Sequence, residues 1–197
     1  MTITDQNTTR TSDTAVPIVD LLDERWSPRS YDVTATLSDE QLTALLEAAR
    51  WAPSAANLQP RRFIVGRRGT PTFATILANL MGFNTVWAGN AAALVVAVAE
   101  TTTEEGDVRR WAEYDLGAAM SALSVQAHAE GLHTHQMGGI EVDGLRAAFD
   151  LPERLVPVTV TAIGVVDSAD KLPEKLAERE TLPRTRLPID ELVIARD

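Results

Sequence analysis

Apolar residues recur at helical spacing in the first quarter of the chain. In VPIVDLLDERW, Pro17 suits a first helical turn, and one face carries Ile18, Leu21 and Leu22. In SDEQLTALLEAARWA, Ser38 and Gln41 have the spacing of a capping box, and Pro53 marks the end. The buried stripe predicted for this second helix consists of Leu42, Leu45, Leu46 and Ala49. Two amphipathic helices are therefore predicted before residue 54.

Beyond this point, helical patterns alternate with strand-like runs. RRFIVG, AAALVVAVAE and VPVTVTAIGVV predict three strands, and the second is apolar throughout and therefore buried. VDGLRAAF predicts a short helix, and TPTFATILANLMGF predicts a longer one with an apolar face of Phe73, Ile76, Leu77 and Leu80. HTHQMGG is predicted as a loop, and the proline-rich end of the chain as an extended segment. Helices interleaved with strands indicate an α+β or α/β fold.

The longest predicted helix runs from Asp107 to about Glu130 and ends at Gly131. Its centre, LGAAMSALS, is built almost entirely of small residues. Small side chains let another helix approach closely, so we expect a central helix or one that faces a second subunit.

Composition narrows the possible functions. The chain has 197 residues, which suits one domain over residues 16–197, and no cysteine, which excludes disulfides and thiolate chemistry. Its net charge of −10 argues against general binding to nucleic acid or anionic membranes. The opening MTITDQNTTRTSDT is polar and unlike a secretory signal. We therefore expect a disordered tail over residues 1–15 of a cytoplasmic protein.

Two pairs of arginines stand out in this acidic chain. Arg25 and Arg29 flank Ser27 near the start, and Arg184 and Arg186 lie near the end. Guanidinium forks bind phosphate oxygens in pairs, and a serine hydroxyl can donate once more. Each pair therefore predicts a site for a small anion, with solvated surface arginines as the alternative.

Two loops carry groups that suit a planar heterocycle. Asn57 and Gln59 in SAANLQP are two residues apart, so both carboxamides can point the same way in an extended loop. Gly138 and Gly139 in QMGGI would let a ligand approach the backbone closely. The alternatives are amides that satisfy their own backbone and a plain glycine turn.

Four motifs, taken in their order along the chain, resemble those of the nitroreductase family of FMN-dependent oxidoreductases. They are RWSPR, APSAANLQP, MGG and RTRLP. The resemblance spans about Val16 to Val193. It implies an α+β fold with a mostly antiparallel sheet flanked by helices. It also implies a homodimer with FMN at the interface and an extended C-terminal arm, residues 168–197, that wraps the partner.

The resemblance also implies which residues contact FMN. At the N-terminal motif they are Arg25, Trp26, Ser27 and Arg29, with the two arginines near phosphate and ribityl. The loop that the opposite subunit lays against the flavin contributes Pro53, Ser54, Ala55, Asn57 and Gln59. The segment whose backbone faces flavin N5 is Met137, Gly138 and Gly139, and the C-terminal grip on phosphate is Arg184 and Arg186.

The sequence departs from the family pattern in places. Arg61 follows QP where an aromatic residue is common, Gly138 replaces a frequent acidic residue, and Trp26 replaces a smaller or basic one. Trp111 and Tyr114, at the front of the long helix, are candidates for a substrate pocket, with core packing as the alternative.

The implied activity is electron transfer from NADH or NADPH through flavin to a nitroaromatic, a quinone or an activated carbonyl or alkene. It would follow a ping-pong mechanism with no side chain as acid or base. The alternatives are a flavin store or sensor and a cofactor-free dimeric module. His128, His133 and His135 lack a cysteine or nearby carboxylate to complete a metal site, so no metal is expected.

Overall fold

The computed structural model of the chain describes residues 12–197. The disordered tail predicted for residues 1–15 lies largely outside the described residues, and residues 12–14 have no regular structure.

A single antiparallel sheet forms the centre of the described chain. Its strands are β1 (Arg61–Arg67), β2 (Ala93–Glu100), β3 (His133–Met137) and β4 (Leu155–Gly164). They lie in the order β1-β2-β4-β3, and every neighbouring pair is antiparallel. Every residue of β2 is buried, as its apolar run predicts. The α+β expectation with an antiparallel sheet is confirmed.

Helices between residues 12 and 197 cover both faces of this sheet. They are α1 (Asp20–Asp23), α2 (Asp39–Trp51), α3 (Pro71–Ala78), α4 (Asn84–Trp87), α5 (Ala112–Ala129), α6 (Val142–Ala148), α7 (Glu174–Thr181) and α8 (Ile189–Leu192). In the described part of the chain, no helix combines the length and the apolar character needed to cross a bilayer.

Helix α2 starts as its sequence predicts. The Ser38 hydroxyl accepts from the Gln41 N–H at 3.0 Å, and the Gln41 side chain accepts from the Ser38 N–H at 3.1 Å. Leu45 and Ala49 are fully buried, whereas Leu42 and Leu46 are half-buried. The capping box is therefore confirmed, and the buried stripe is narrower than predicted.

Alternation along β2 divides the interior into two cores. Leu94, Val96 and Val98 pack on the side of α3 and α6. The other face of β2 presents Val95 and alanines to α2 and α5. Because the side chains on that face are small, the helices can lie close to the sheet. Helix α5 buries Ala112, Ala119 and Ala127 against this face, so its small residues belong to a central helix, as predicted.

Four predicted elements differ from the structure. Helix α3 ends at Ala78, whereas the predicted helix extends to Phe83. Pro17 and Ile18 precede α1, which has only four residues, because its apolar side chains find no core within the described chain to stabilise a longer helix. Helix α5 starts at Ala112 rather than Asp107. HTHQM is strand β3 rather than a loop, since its backbone pairs with β4.

The C-terminal segment is not extended throughout. Helix α7 packs Leu176 into the core, and α8 follows it. The wrapping of a partner by residues 168–197 stays a prediction.

Candidate functional site

The N-terminal motif forms one wall of a cavity of about 280 Å³. Residues 25–28 have no regular structure, and their side chains alternate. Arg25 and Ser27 line the cavity, whereas Trp26 is buried against His133 with ring centroids 4.5 Å apart. The full lining is Leu22, Arg25, Ser27, Ser121, Ser124, Val125, Thr134 and Gln136. One guanidinium therefore faces several hydroxyl groups, while Trp26 packs in the interior.

Arg25 of this cavity feels the charges of two arginines from the other end of the chain. Burial lowers the pKa of the Arg25 guanidinium below its usual range, and the nearby charges of Arg184 and Arg186 lower it further. Arg184 also donates to the carbonyl of Asp23, the last residue of α1. Repulsion between like charges is relieved by a bound anion.

Arg29 occupies a different environment from Arg25. Its backbone N–H donates to Oε1 of Glu180 at 2.8 Å, and its guanidinium lies 3.5 Å from Oε2. The Glu180 side chain is only 6% exposed. Arg29 does not line the cavity, so its predicted contact with a phosphate stays a prediction.

Strand β3 leads from the cavity to the paired glycines. Thr134 and Gln136 line the cavity, and Gly138 follows on the same side, exposed at the end of the strand. No described atom lies within 4 Å of a Cβ built on Gly138. Met137 points into the core instead, and the Gly139 carbonyl accepts from the Met81 N–H at 2.9 Å.

The loop after α2 has a strained backbone. Ala56, Asn57 and Gln59 have φ values of 49°, 56° and 49°, and none of them is glycine. This left-handed region disfavours side chains with a Cβ. Non-glycine residues persist there only when their surroundings impose the conformation, which is typical of functional loops. The Gln59 carboxamide donates to the Asn57 carbonyl at 3.1 Å, as the alternative interpretation of this pair expects.

A second cavity, of about 460 Å³, lies beside this loop. Its lining consists of Pro53, Ser54, Ala55, Trp111, Tyr114, Asp115 and Ala118. Trp111 and Tyr114 are 51% and 76% exposed and form an edge-to-face pair with centroids 6.4 Å apart. These two aromatic rings therefore lie at the surface of a cavity and outside the core of this chain, and their role in a substrate pocket stays a prediction.

The predicted site residues thus fall into two groups within one chain. Arg25 and Ser27 share the first cavity, whereas Pro53, Ser54 and Ala55 line the second. Asn57 and Gln59 are exposed and line neither. Both cavities border α5, the first near Ser121–Val125 and the second near Tyr114–Ala118.

The three histidines belong to α5 and β3. Among residues 12–197 no cluster of three potential ligands exists. Burial, mainly, lowers the pKa of both His133 and His135 to about 4, so both rings are neutral at pH 7. His133 packs between Trp26 and His128.

Comparison with known proteins places this geometry in a family. A sequence model of the nitroreductase family matches residues 22–70 and 70–165. The chain belongs to the nitroreductase family. A solved structure described as an oxidoreductase containing FMN is 34% identical, covers 96% of each chain and has a TM-score of 0.88.

Two sequence relatives extend the comparison. An uncharacterized 15.4 kDa protein from the ask 5′ region of Mycolicibacterium smegmatis is 36% identical over 138 residues, 66% of this chain and 92% of the relative. Bacillus subtilis (strain 168) YodC, provisionally named an NAD(P)H nitroreductase, is 28% identical over 180 residues, 74% of this chain and 88% of the relative.

Sequence reasoning missed several residues of this candidate site. In the first cavity they are Ser121, Ser124, Thr134 and Gln136. In the second it is Asp115, a buried carboxylate whose Oδ2 accepts from the Ala55 N–H at 3.1 Å. Thr134 and Gln136 are two residues apart in HTHQM. If this segment had been predicted as a strand, both side chains would have been placed on one face.

Proposed function

We propose that this nitroreductase-family protein is an FMN-dependent oxidoreductase that passes electrons from NADH or NADPH to an oxidised small molecule. The observation that carries the proposal is the first cavity, where Arg25 and hydroxyl side chains meet beside Arg184 and Arg186. The description of one solved relative as containing FMN, and the NAD(P)H in the name of the B. subtilis relative, support it.

The residues present fit the phosphate and ribityl groups of FMN. Arg25 offers a guanidinium fork, and Ser27 and Thr134 offer hydroxyls on adjoining walls. A bound phosphate would relieve the repulsion between Arg25 and the arginines of the C-terminal segment.

The flavin ring would extend along β3 toward Gly138, whose backbone is open to a ligand. FMN held here would supply the redox chemistry, carrying the two electrons and the proton of a hydride from the nicotinamide to the acceptor. The chain orients the ring and limits access of water. We infer no protein acid or base, since the functional groups at the cavity are guanidinium, hydroxyl and carboxamide.

We infer that a second copy of the chain completes each site. The loop of residues 53–57 does not reach the first cavity of its own chain, so it would contact the flavin of a partner. Exposed apolar side chains support such an interface, among them Trp51, Phe83, Leu187, Leu192 and Ile194. We also infer that residues 16–197 act as one domain of a cytoplasmic protein.

Trp111 and Tyr114 would then form an aromatic wall over the bound flavin. Such a wall suits planar acceptors. We therefore propose nitroaromatics, quinones and activated carbonyl or alkene compounds as the electron acceptors. Because donor and acceptor would use one pocket in turn, double-reciprocal plots at several acceptor concentrations should be parallel. Intersecting lines would contradict this shared pocket.

A flavin spectrum of the purified protein, followed by NADH and NADPH oxidation assays with these acceptors, tests the proposal. We expect stoichiometric FMN and acceptor-dependent oxidation. A protein that binds FMN without turnover would be a flavin store or sensor, and one that stays colourless after incubation with FMN would contradict cofactor binding altogether.

A further inference from the structure

The loop that follows α2 is held in its strained shape by arginines from outside it. Residues 56, 57 and 59 all have positive φ without being glycine, so the loop needs external restraint. Most of the hydrogen bonds that restrain the loop are accepted by its backbone carbonyls and those just before it. The donors come from the start of β1 and from the segment before α5.

Arg61 binds the carbonyls where α2 passes into the loop. Its guanidinium donates to the carbonyls of Ala52 at 2.7 Å, Arg50 at 2.8 Å and Pro53 at 3.3 Å. The residue is only 7% exposed. A buried guanidinium that donates to three carbonyls fixes their relative positions, because its donors lie in a rigid plane.

The far side of the loop is held in the same way. Arg109 donates to the Leu58 carbonyl at 3.0 Å, and Arg62 donates to the Gln59 carbonyl at 3.1 Å. The buried carboxylate of Glu100 lies 2.9 Å from the Arg62 guanidinium and 3.6 Å from that of Arg109. One anchored carboxylate therefore orients two arginines toward the loop.

We propose that Arg61 and Arg109 are positioning residues that hold the loop of residues 53–59 in the shape that contacts the flavin. The inference rests on the proposed function, since it needs a flavin at this loop. Arg61 supports the back of the loop through its hydrogen bonds to the carbonyls of residues 50, 52 and 53.

The test uses the full-length protein and measures the Kd of FMN, the kcat and KM for NADH oxidation, and the free energy of unfolding in urea. The variants are Arg61→Lys and Arg109→Lys, which keep the charge and lose the fork. The matched control is Arg50→Lys, because the Arg50 side chain is 59% exposed and binds Glu47 on the same helix. We expect the Kd of FMN to rise about tenfold in both test variants and to stay unchanged in the control.

A rescue separates positioning from a general loss of stability. Glycine at position 56 tolerates a φ of 49°, so Ala56→Gly should lower the cost of the native loop shape and restore part of the FMN affinity of Arg61→Lys. Ala129→Gly is the control, since Ala129 is an exposed residue at the end of α5 whose φ is not positive, so it gains no such relief. A purely structural arginine would lower unfolding free energy without changing the Kd of FMN.

The outcomes distinguish the two proposals. If the wild-type protein binds no FMN, the proposed function is wrong. If it binds FMN, and Arg61→Lys and Arg109→Lys bind it as tightly, only the positioning role is wrong. Equal rescue by both glycine variants would contradict the role of backbone strain.

Discussion

Arg29 and Glu180 join the two ends of the chain, because the buried carboxylate of Glu180 accepts from the Arg29 N–H at 2.8 Å and lies 3.5 Å from its guanidinium. Glu180 belongs to α7, and Arg29 ends the motif whose Arg25 and Ser27 line the first cavity. The contact therefore fixes the C-terminal segment relative to the proposed phosphate site.

Removing this carboxylate should weaken the fold. Glu180→Ala leaves the Arg29 N–H and guanidinium without their acceptor, so we expect the free energy of unfolding to fall by about 2–4 kcal/mol. Glu180→Gln keeps an acceptor for the N–H and should lose less. Urea unfolding at pH 7 measures both, with the exposed Glu47→Gln as control. Equal stability of Glu180→Ala and wild type would show that the pair contributes nothing.

The proposed shared site predicts complementation between two inactive variants. Arg25→Ala removes the cavity guanidinium, and Ala55→Trp blocks the loop, so each homodimer should lose most activity. A mixed dimer retains one site with both an intact cavity and an intact loop. Coexpression should then restore about a quarter of wild-type activity, since half of the dimers are mixed and each has one working site.

Size-exclusion chromatography of both variants provides the control, since each must remain dimeric. Activity in coexpressed samples no higher than the mean of the two parents would show that cavity and loop of one site come from the same chain.

Burial of two histidines predicts that stability falls on mild acidification. The pKa of His133 and His135 is about 4 in the folded chain against an ordinary 6.5, so the unfolded chain binds more protons between these values. Stability is thus full above pH 6.5 and is lost as pH falls toward 4. Lowering the pH from 7 to 5 should cost about 2 kcal/mol for each ring.

His133→Phe should remove half of this pH dependence. Neither ring nitrogen of His133 has a hydrogen-bond partner among the described residues, so the change forfeits no bond. Charged or titratable neighbours are His128 and Arg25 around His133, and Arg29 and Arg179 around His135. Urea unfolding at pH 7 and pH 5 measures the difference. A pH dependence unchanged in His133→Phe would mean that His133 does not cause it.

Much of the fold followed from the sequence because its signals are local. The capping box of α2 and the apolar run of β2 depend on neighbours in the chain. Strand β3 was not predicted because HTHQM is polar. Its extended conformation depends on backbone pairing with β4, which lies further along the chain. The roles of Asp115 and Arg61 depend on contacts with the loop after α2, which spacing alone does not reveal.

Gly138 offers the sharpest test of where the flavin ring lies. The chain itself tolerates a Cβ there, since no described atom lies within 4 Å and φ is not positive. Gly138→Ala should therefore leave the unfolding free energy of the apoprotein within about 0.5 kcal/mol of wild type. If a ring approaches this backbone, the added methyl group must obstruct it, and the Kd of FMN should rise about tenfold. The control is Gly117→Ala on α5, which also adds a methyl group in open space, and it should leave the Kd of FMN unchanged. Unchanged FMN affinity in Gly138→Ala would show that the flavin ring does not lie at the end of β3.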